Sequence, residues 1–138
     1  MTADELADLV VALLNDAPDK PIEYTAVKPA EVGEIDAERD DCGIYVVAEE
    51  ESEEPIGDND GTSKRTRSVA IVVNGPVRDR PLGDYLKLSE FARRCFEGTQ
   101  FDRMFWQGND VVSTYDRDAL KNRRRFLSLC VATYDEIS

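Results

Sequence analysis

Histidine is absent from this 138-residue chain. That removes the commonest general base and the commonest metal ligand at neutral pH, and with them Ser-His, Cys-His and His-based zinc sites. Cysteine is scarce: Cys42, Cys95 and Cys130 are odd in number and widely separated. They read as buried thiols in a reducing compartment, not as a disulfide framework. No G-x-G-x-x-G occurs, and neither Gly57 nor Gly61 leads into a Gly-Lys-Ser/Thr phosphate loop. No apolar run approaches the ~20 residues that span a bilayer, and no basic stretch followed by an apolar one opens the chain as a signal peptide would. The expectation is no membrane, no cofactor and no metal. Basic residues are also scarce in one half. Residues 1–63 carry 3 against 19 acidic ones, a net of -16, whereas residues 64–138 carry 14 against 10, a net of +4. So sharp a division implies that one part of the chain faces something the other does not.

What is present suits one domain over residues 1–138, a length that buries roughly 68–70% of its unfolded surface. A hydrophobic fraction of 41% and a charged fraction of 33% lie outside the range of disorder. Thr2-Ala3-Asp4-Glu5 is a capping-box pattern, and Leu6, Leu9, Val10, Leu13 and Leu14 follow on one helical face. A helix over 3–15 is expected, ended by Asn15, Asp16 and Pro18. Residues 22–28 are rich in strand formers, Pro29 to Asp41 is a polar connection, and Gly43 to Glu49 is a second strand. Seven carboxylates then fall within 49–60, together with Pro55, Gly57 and Gly61 just beyond. That composition predicts a long, mobile acidic hairpin loop at about 49–63. The returning strand, Lys64 to Val73, starts with Lys64, Arg65 and Arg67 and turns apolar, and Asn74-Gly75-Pro76 stops it. Its basic start faces the acidic stretch, so the two can neutralise each other.

Leu82 to Glu97 is a second amphipathic helix with Gly98 as its stop. Met104-Phe105-Trp106 and Val111 to Tyr115 read as short strands joined by a turn at Gly108-Asn109-Asp110. Asp116 to Asn122 is a loop or a single helical turn. Arg124 to Tyr134 is apolar on both faces, as an inner strand covered on two sides would be. The order is α-β-β-β-α-β-β, an α+β domain of a mostly antiparallel sheet with two helices packed on one face.

Few motifs carry chemistry. An EF-hand loop starting at Asp58 needs Gly at its sixth position and Glu at its twelfth, where Ser63 and Val69 stand. Asp84, Asp116 and Asp118 sit near basic residues as in some nucleases, but at a helix start and a turn, where capping explains them. Lys121 and Arg123-Arg124-Arg125 form the sharpest basic cluster, suited to nucleic acid, to a protein surface, or to a solvated strand entrance. Interleaved aromatics are missing there, and a net charge of -12 opposes a duplex. Trp106 reads as a core residue or as an anchor against a neighbouring copy.

The outline as a whole resembles the tail terminator (tail completion) proteins of tailed bacteriophages and related neck proteins. The resemblance rests on a short N-terminal amphipathic helix, three strands, a second helix and a segment with a Trp. Tyr115-Asp116-x-Asp118-x-Leu120 and the Phe126-x-Ser128-x-Cys130-Val131-x-Thr133-Tyr134 strand complete it. The acidic stretch at 49–60 departs from the simplest pattern. The resemblance implies a non-enzymatic virion protein of the tail or neck, present in the host cytoplasm during assembly. It implies a ring, commonly a hexamer, that caps the head-proximal end of a tail tube, stops its growth and joins tail to head. Its partners would be copies of itself, the tail-tube protein and the head connector, with DNA passing through the lumen without specific binding. Such a ring needs two unlike surfaces on each subunit. Glu49, Glu50, Glu51, Glu53, Glu54, Asp58 and Asp60 would line the lumen or touch a stacked ring. Lys64, Arg65, Arg67, Arg123, Arg124 and Arg125 would contact a neighbouring subunit. Other readings are another head-tail connector or tail-tube-associated ring protein, or an acidic regulatory inhibitor that mimics DNA.

Overall fold

Thr2 opens the first helix, α1 (Ala3–Asp16), as its capping box requires: the Thr2 hydroxyl accepts from the Glu5 amide at 3.1 Å, and Glu5 accepts from the Thr2 amide at 3.3 Å. The computed structural model describes residues 1–29, 43–56, 61, 63–77 and 81–137. Most of the connection expected after Pro29, with Cys42, lies outside them, as do Asp58 and Asp60. After α1 the chain forms β1 (Thr25–Val27), β2 (Gly43–Pro55), β3 (Ser63–Pro76), α2 (Leu82–Arg94), β4 (Gln100–Phe101), β5 (Met104–Ser113), α3 (Arg117–Arg123) and β6 (Arg125–Ile137). The six strands make one sheet in the order β1-β2-β3-β6-β5-β4, parallel only between β1 and β2. The α+β class and the two helices on one face are as the sequence implies.

The core lies between that face and the helices. Leu6, Val10 and Leu14 of α1 and Tyr85, Leu88 and Ala92 of α2 pack on Ile44, Val46, Val69, Ile71, Val73, Phe126, Ala132 and Tyr134. Each fully buried aliphatic side chain contributes roughly 1.5–3 kcal/mol. Asn15 does more than end a helix. Its amide group accepts from the Ala26 N–H at 2.8 Å and donates to the Ala26 carbonyl at 2.9 Å, so a side chain supplies β1 with the partner of a missing strand. Tyr24 fastens the same junction by donating to the Leu14 carbonyl.

Several boundaries differ from expectation. Residues 49–55 are strand, not loop: β2 continues to Pro55 in register with β3, with a bulge between Ala48 and Glu50. Propensity argues against a strand of glutamates, but opposed cations on the partner reverse the balance. Asn74-Gly75-Pro76 does not stop β3, which pairs with β6 as far as Pro76. Gly75 stays in the sheet because the Tyr85 ring lies over it. A Cβ there would meet that ring at 2.7 Å. Tyr85 in turn stacks on Phe126 at 5.2 Å.

Gly108-Asn109-Asp110 is not a turn. Strand β5 is continuous from Met104 to Ser113 and absorbs the irregularity as bulges between Trp106 and Gly108 and between Val111 and Ser113. Asn109 instead links two elements, accepting from the Trp106 indole at 3.0 Å and donating to the Arg93 carbonyl at the end of α2 at 3.0 Å. The loop or single turn expected at 116–122 is α3. Strand β6 is inner, but only one of its faces is buried: Phe126, Ser128, Cys130, Ala132 and Tyr134 lie under the helices, while Leu127, Leu129 and Val131 are half-buried.

Candidate functional site

The charged residues singled out in the sequence are divided between the two ends of the long strands. At one end the tip of β2, the start of β3 and the end of β6 lie side by side. The register sets Glu51 opposite Arg67, Glu53 opposite Arg65 and Thr66 opposite Asp135. A basic strand therefore runs between two acidic ones. Arg65 Nε lies 3.2 Å from Glu53 Oε1, and the Ser63 hydroxyl donates to the same oxygen at 3.0 Å. The Ser63 hydrogen bond, followed by Arg65, holds the Glu53 carboxyl below the usual carboxylate range. Lys64 Nζ is 3.4 Å from Asp135, which also accepts from the Thr66 hydroxyl at 2.8 Å.

Arg67 is the most enclosed of these cations, its side chain 13% exposed. It donates to the carbonyls of Met1, Ser52 and Thr66 at 3.0–3.1 Å and lies 4.0 Å from Glu51. Glu51 accepts from the Ala3 amide at the start of α1. The pair thus fixes the N-terminal turn of α1 to the sheet and gives one of its amides an anionic acceptor. Nearby, Lys28 bridges Asp4 and Asp8 at 2.9 Å each, and these hydrogen bonds, Asp8 first, raise its pKa. Lys28, Lys64, Arg65 and Arg67 are all engaged by the chain's own groups. Glu49, Glu50 and Glu54 remain exposed on the strand, and no ion pair ties them among the described residues. Beyond Tyr45, that edge of β2 has no neighbouring strand among the described residues.

The other end is built by α3 and the start of β6. Asp116 caps α3, its carboxylate accepting from the Ala119 amide at 3.0 Å. Arg124 closes the helix in the left-handed conformation, φ 50°, with its N–H on the Ala119 carbonyl. Arg125 turns inward and donates to Asn74 at 3.1 Å. Lys121, Arg123 and Arg124 are exposed, and no ion pair engages them among the described residues. Thirteen residues of β6 separate the two ends, about 40 Å at strand rise.

The structure therefore brings Glu51, Glu53, Arg65 and Arg67 together and joins Lys64 to Asp135. Arg123, Arg124 and Arg125 lie far from all of them. Asp135 lies just beyond the strand that the sequence implies, which ends at Tyr134, whereas β6 runs to Ile137. The alternation in fact continues through it, and an acidic pair, Asp135-Glu136, facing Lys64 to Thr66 was the available signal.

Among the described residues no three acidic or cysteine side chains are placed to hold a metal ion, and no helix is long and apolar enough to cross a membrane. Burial pushes the Cys95 and Cys130 thiols up, away from the nucleophilic thiolate. The Ser89 and Ser128 hydroxyls satisfy each other at 2.9 Å beneath α2. An open groove of about 470 Å³ lies between α1 and the segment after α2, lined by Leu9, Leu13, Cys95 and Phe101.

No family model matches the chain, and no curated protein sequence matches it. Among solved structures it is similar to a chain from the virion of a native gene transfer agent particle, at 14% identity, over 94% of this chain and 85% of that one, with a TM-score of 0.47.

Proposed function

We propose that the chain is a structural virion protein and not an enzyme: a subunit of a ring, hexameric by the tail-terminator resemblance. The ring caps the head-proximal end of a phage tail tube, stops its growth and joins tail to head. One observation carries the reading: a rigid sheet presents unlike charge at its two ends. That is what a subunit needs when one patch must meet a different patch on the next copy. The Trp106, Tyr115-Asp116 and Phe126–Tyr134 features that carry the resemblance all fall on β5, α3 and β6 or the links between them.

The test is tube growth from purified tail-tube protein, followed by negative-stain microscopy. The protein added at the start should give short tubes of uniform length, each with a ring at one end. A protein that neither binds tube ends nor changes tube length would sink the proposal. The exposed carboxylates Glu49, Glu50 and Glu54 favour a second reading, an acidic inhibitor that occupies a basic partner as a monomer or dimer. Against it, Glu51 and Glu53 are tied to the chain's own arginines.

A further inference from the structure

The two charged ends cannot answer each other within one molecule. Measured along β6 from Arg125, the carboxylates of β2 stand from about 25 Å away (Glu50, level with Ser68 and Thr133) to about 40 Å away (Glu54, level with Lys64 and Ile137), and the screening length at 0.1 M salt is about 10 Å. At the acidic end every described cation is already engaged, and carboxylates remain in surplus. At the basic end Lys121, Arg123 and Arg124 project from the last turn of α3 and its cap, with no ion pair to engage them among the described residues. The complement of each surface is thus carried by the same chain, at its far end.

We propose that the α3 end is a docking surface for a second copy of this chain, and that the occupant is the edge of β2 beyond Tyr45, which has no neighbouring strand among the described residues and presents Glu49, Glu50 and Glu54. The contact is heterologous: it uses a different patch on each partner, so it propagates head to tail and either closes into a ring or grows as a filament. This deepens the ring reading and rests on it only for closure. The contact is testable without any tail tube, so either idea can fail alone. Nucleic acid is the competing occupant. The net charge of -12 repels a duplex and a second copy alike and is screened for both at 0.1 M salt, so it does not choose between them. The second copy is the occupant argued for because its own β2 carries exposed carboxylates complementary to these cations, and the cluster lacks the interleaved aromatics of a nucleic-acid surface.

The variants are Lys121→Glu with Arg123→Glu, which replaces the exposed cations of α3 with carboxylates, and Glu49→Lys with Glu50→Lys, which replaces the exposed carboxylates of β2 with cations. Glu54 is spared because Lys64 faces it across the ladder. All four side chains are exposed, and none is in an ion pair among the described residues. Circular dichroism checks that each variant is folded. Sedimentation velocity at 0.1 M salt should show the wild-type protein self-associating, and weakening as salt rises to 1 M. Each variant alone should associate at least about tenfold more weakly. A one-to-one mixture should recover association, since every contact then pairs opposite charges. A wild-type protein that stays monomeric up to millimolar concentration, variants that associate like wild type, or a mixture of folded variants that does not recover would each overturn the proposal. So would binding of a labelled DNA duplex that is lost in the α3 variant while self-association is unchanged, which would assign the basic end to nucleic acid.

Discussion

Asn15 is the residue on which the first third of the chain turns. Two hydrogen bonds from one side chain hold β1 against the end of α1, and Ala26, which receives them, is buried. Asn15→Ala leaves a buried N–H and C=O without partners and should cost roughly 1–3 kcal/mol in urea unfolding. Gly75 is the second such position. Gly75→Ala drives a methyl into the Tyr85 ring, which cannot retreat without leaving its stack on Phe126. A loss of about 1–3 kcal/mol is expected in the same measurement, and adding Tyr85→Leu should recover part of it. Neither role was visible in the sequence. Asn15 read as a helix end and Gly75 as a strand stop, because in both cases the deciding partner is distant in the chain and propensity describes only neighbours.

Among the elements, the two long helices α1 and α2 were more legible than the short α3 and the strands, for a physical reason. The period of α1 and its capping box are local signals that survive any tertiary context. The strands at 49–55 and 104–113 depend on what lies beside them. Carboxylates in series oppose a strand until cations stand opposite, and a Gly-Asn-Asp triplet reads as a turn until a ladder with β6 carries the chain through it. Pairing of the acidic stretch with the basic start of β3 was legible as charge complementarity. Its form, a three-strand ribbon with Asp135 on the far side, was not. The ribbon also holds α1, and this can be tested. Arg67→Met removes the donors to Met1 and leaves Glu51 uncompensated. Hydrogen exchange in the first turn of α1 should then accelerate by an order of magnitude or more, while amides of β6 under α2 remain protected.

For the molecule as a whole, stability should respond to pH on the alkaline side through Tyr24 and Tyr134. Burial pushes both phenols up, from 10.0 to about 12. The fold favours their neutral forms, so their contribution is fully present below pH 10 and is lost as pH rises from 10 towards 12. Alkaline unfolding should therefore coincide with a cooperative rise in tyrosinate absorbance, and Tyr134→Phe should shift the transition upward in pH. Tyrosines that titrate while circular dichroism is unchanged would contradict this. Glu53 acts in the opposite sense. Its lowered pKa makes a contribution that is present above the ordinary carboxylate value and lost as pH falls through the folded one. The charge asymmetry of the chain was plain from the sequence. Its direction in space was not, because the positions of the two ends follow from the β3–β6 register, which pairs Pro76 with Arg125 and Lys64 with Ile137.

The two bulges of β5 have a consequence for the life of the free chain. A straight edge strand with exposed Phe105, Val111 and Val112 would template cross-β growth, and a cell making the protein at high concentration would collect aggregates. The bulges at Gln107 and Val112 break the regular spacing of that template, and the ladder to β6 is interrupted only locally and resumes after each. Copies of the chain are thereby kept from zippering along β5, and a contact made on that side of the sheet must be held by side chains, which can release and try again.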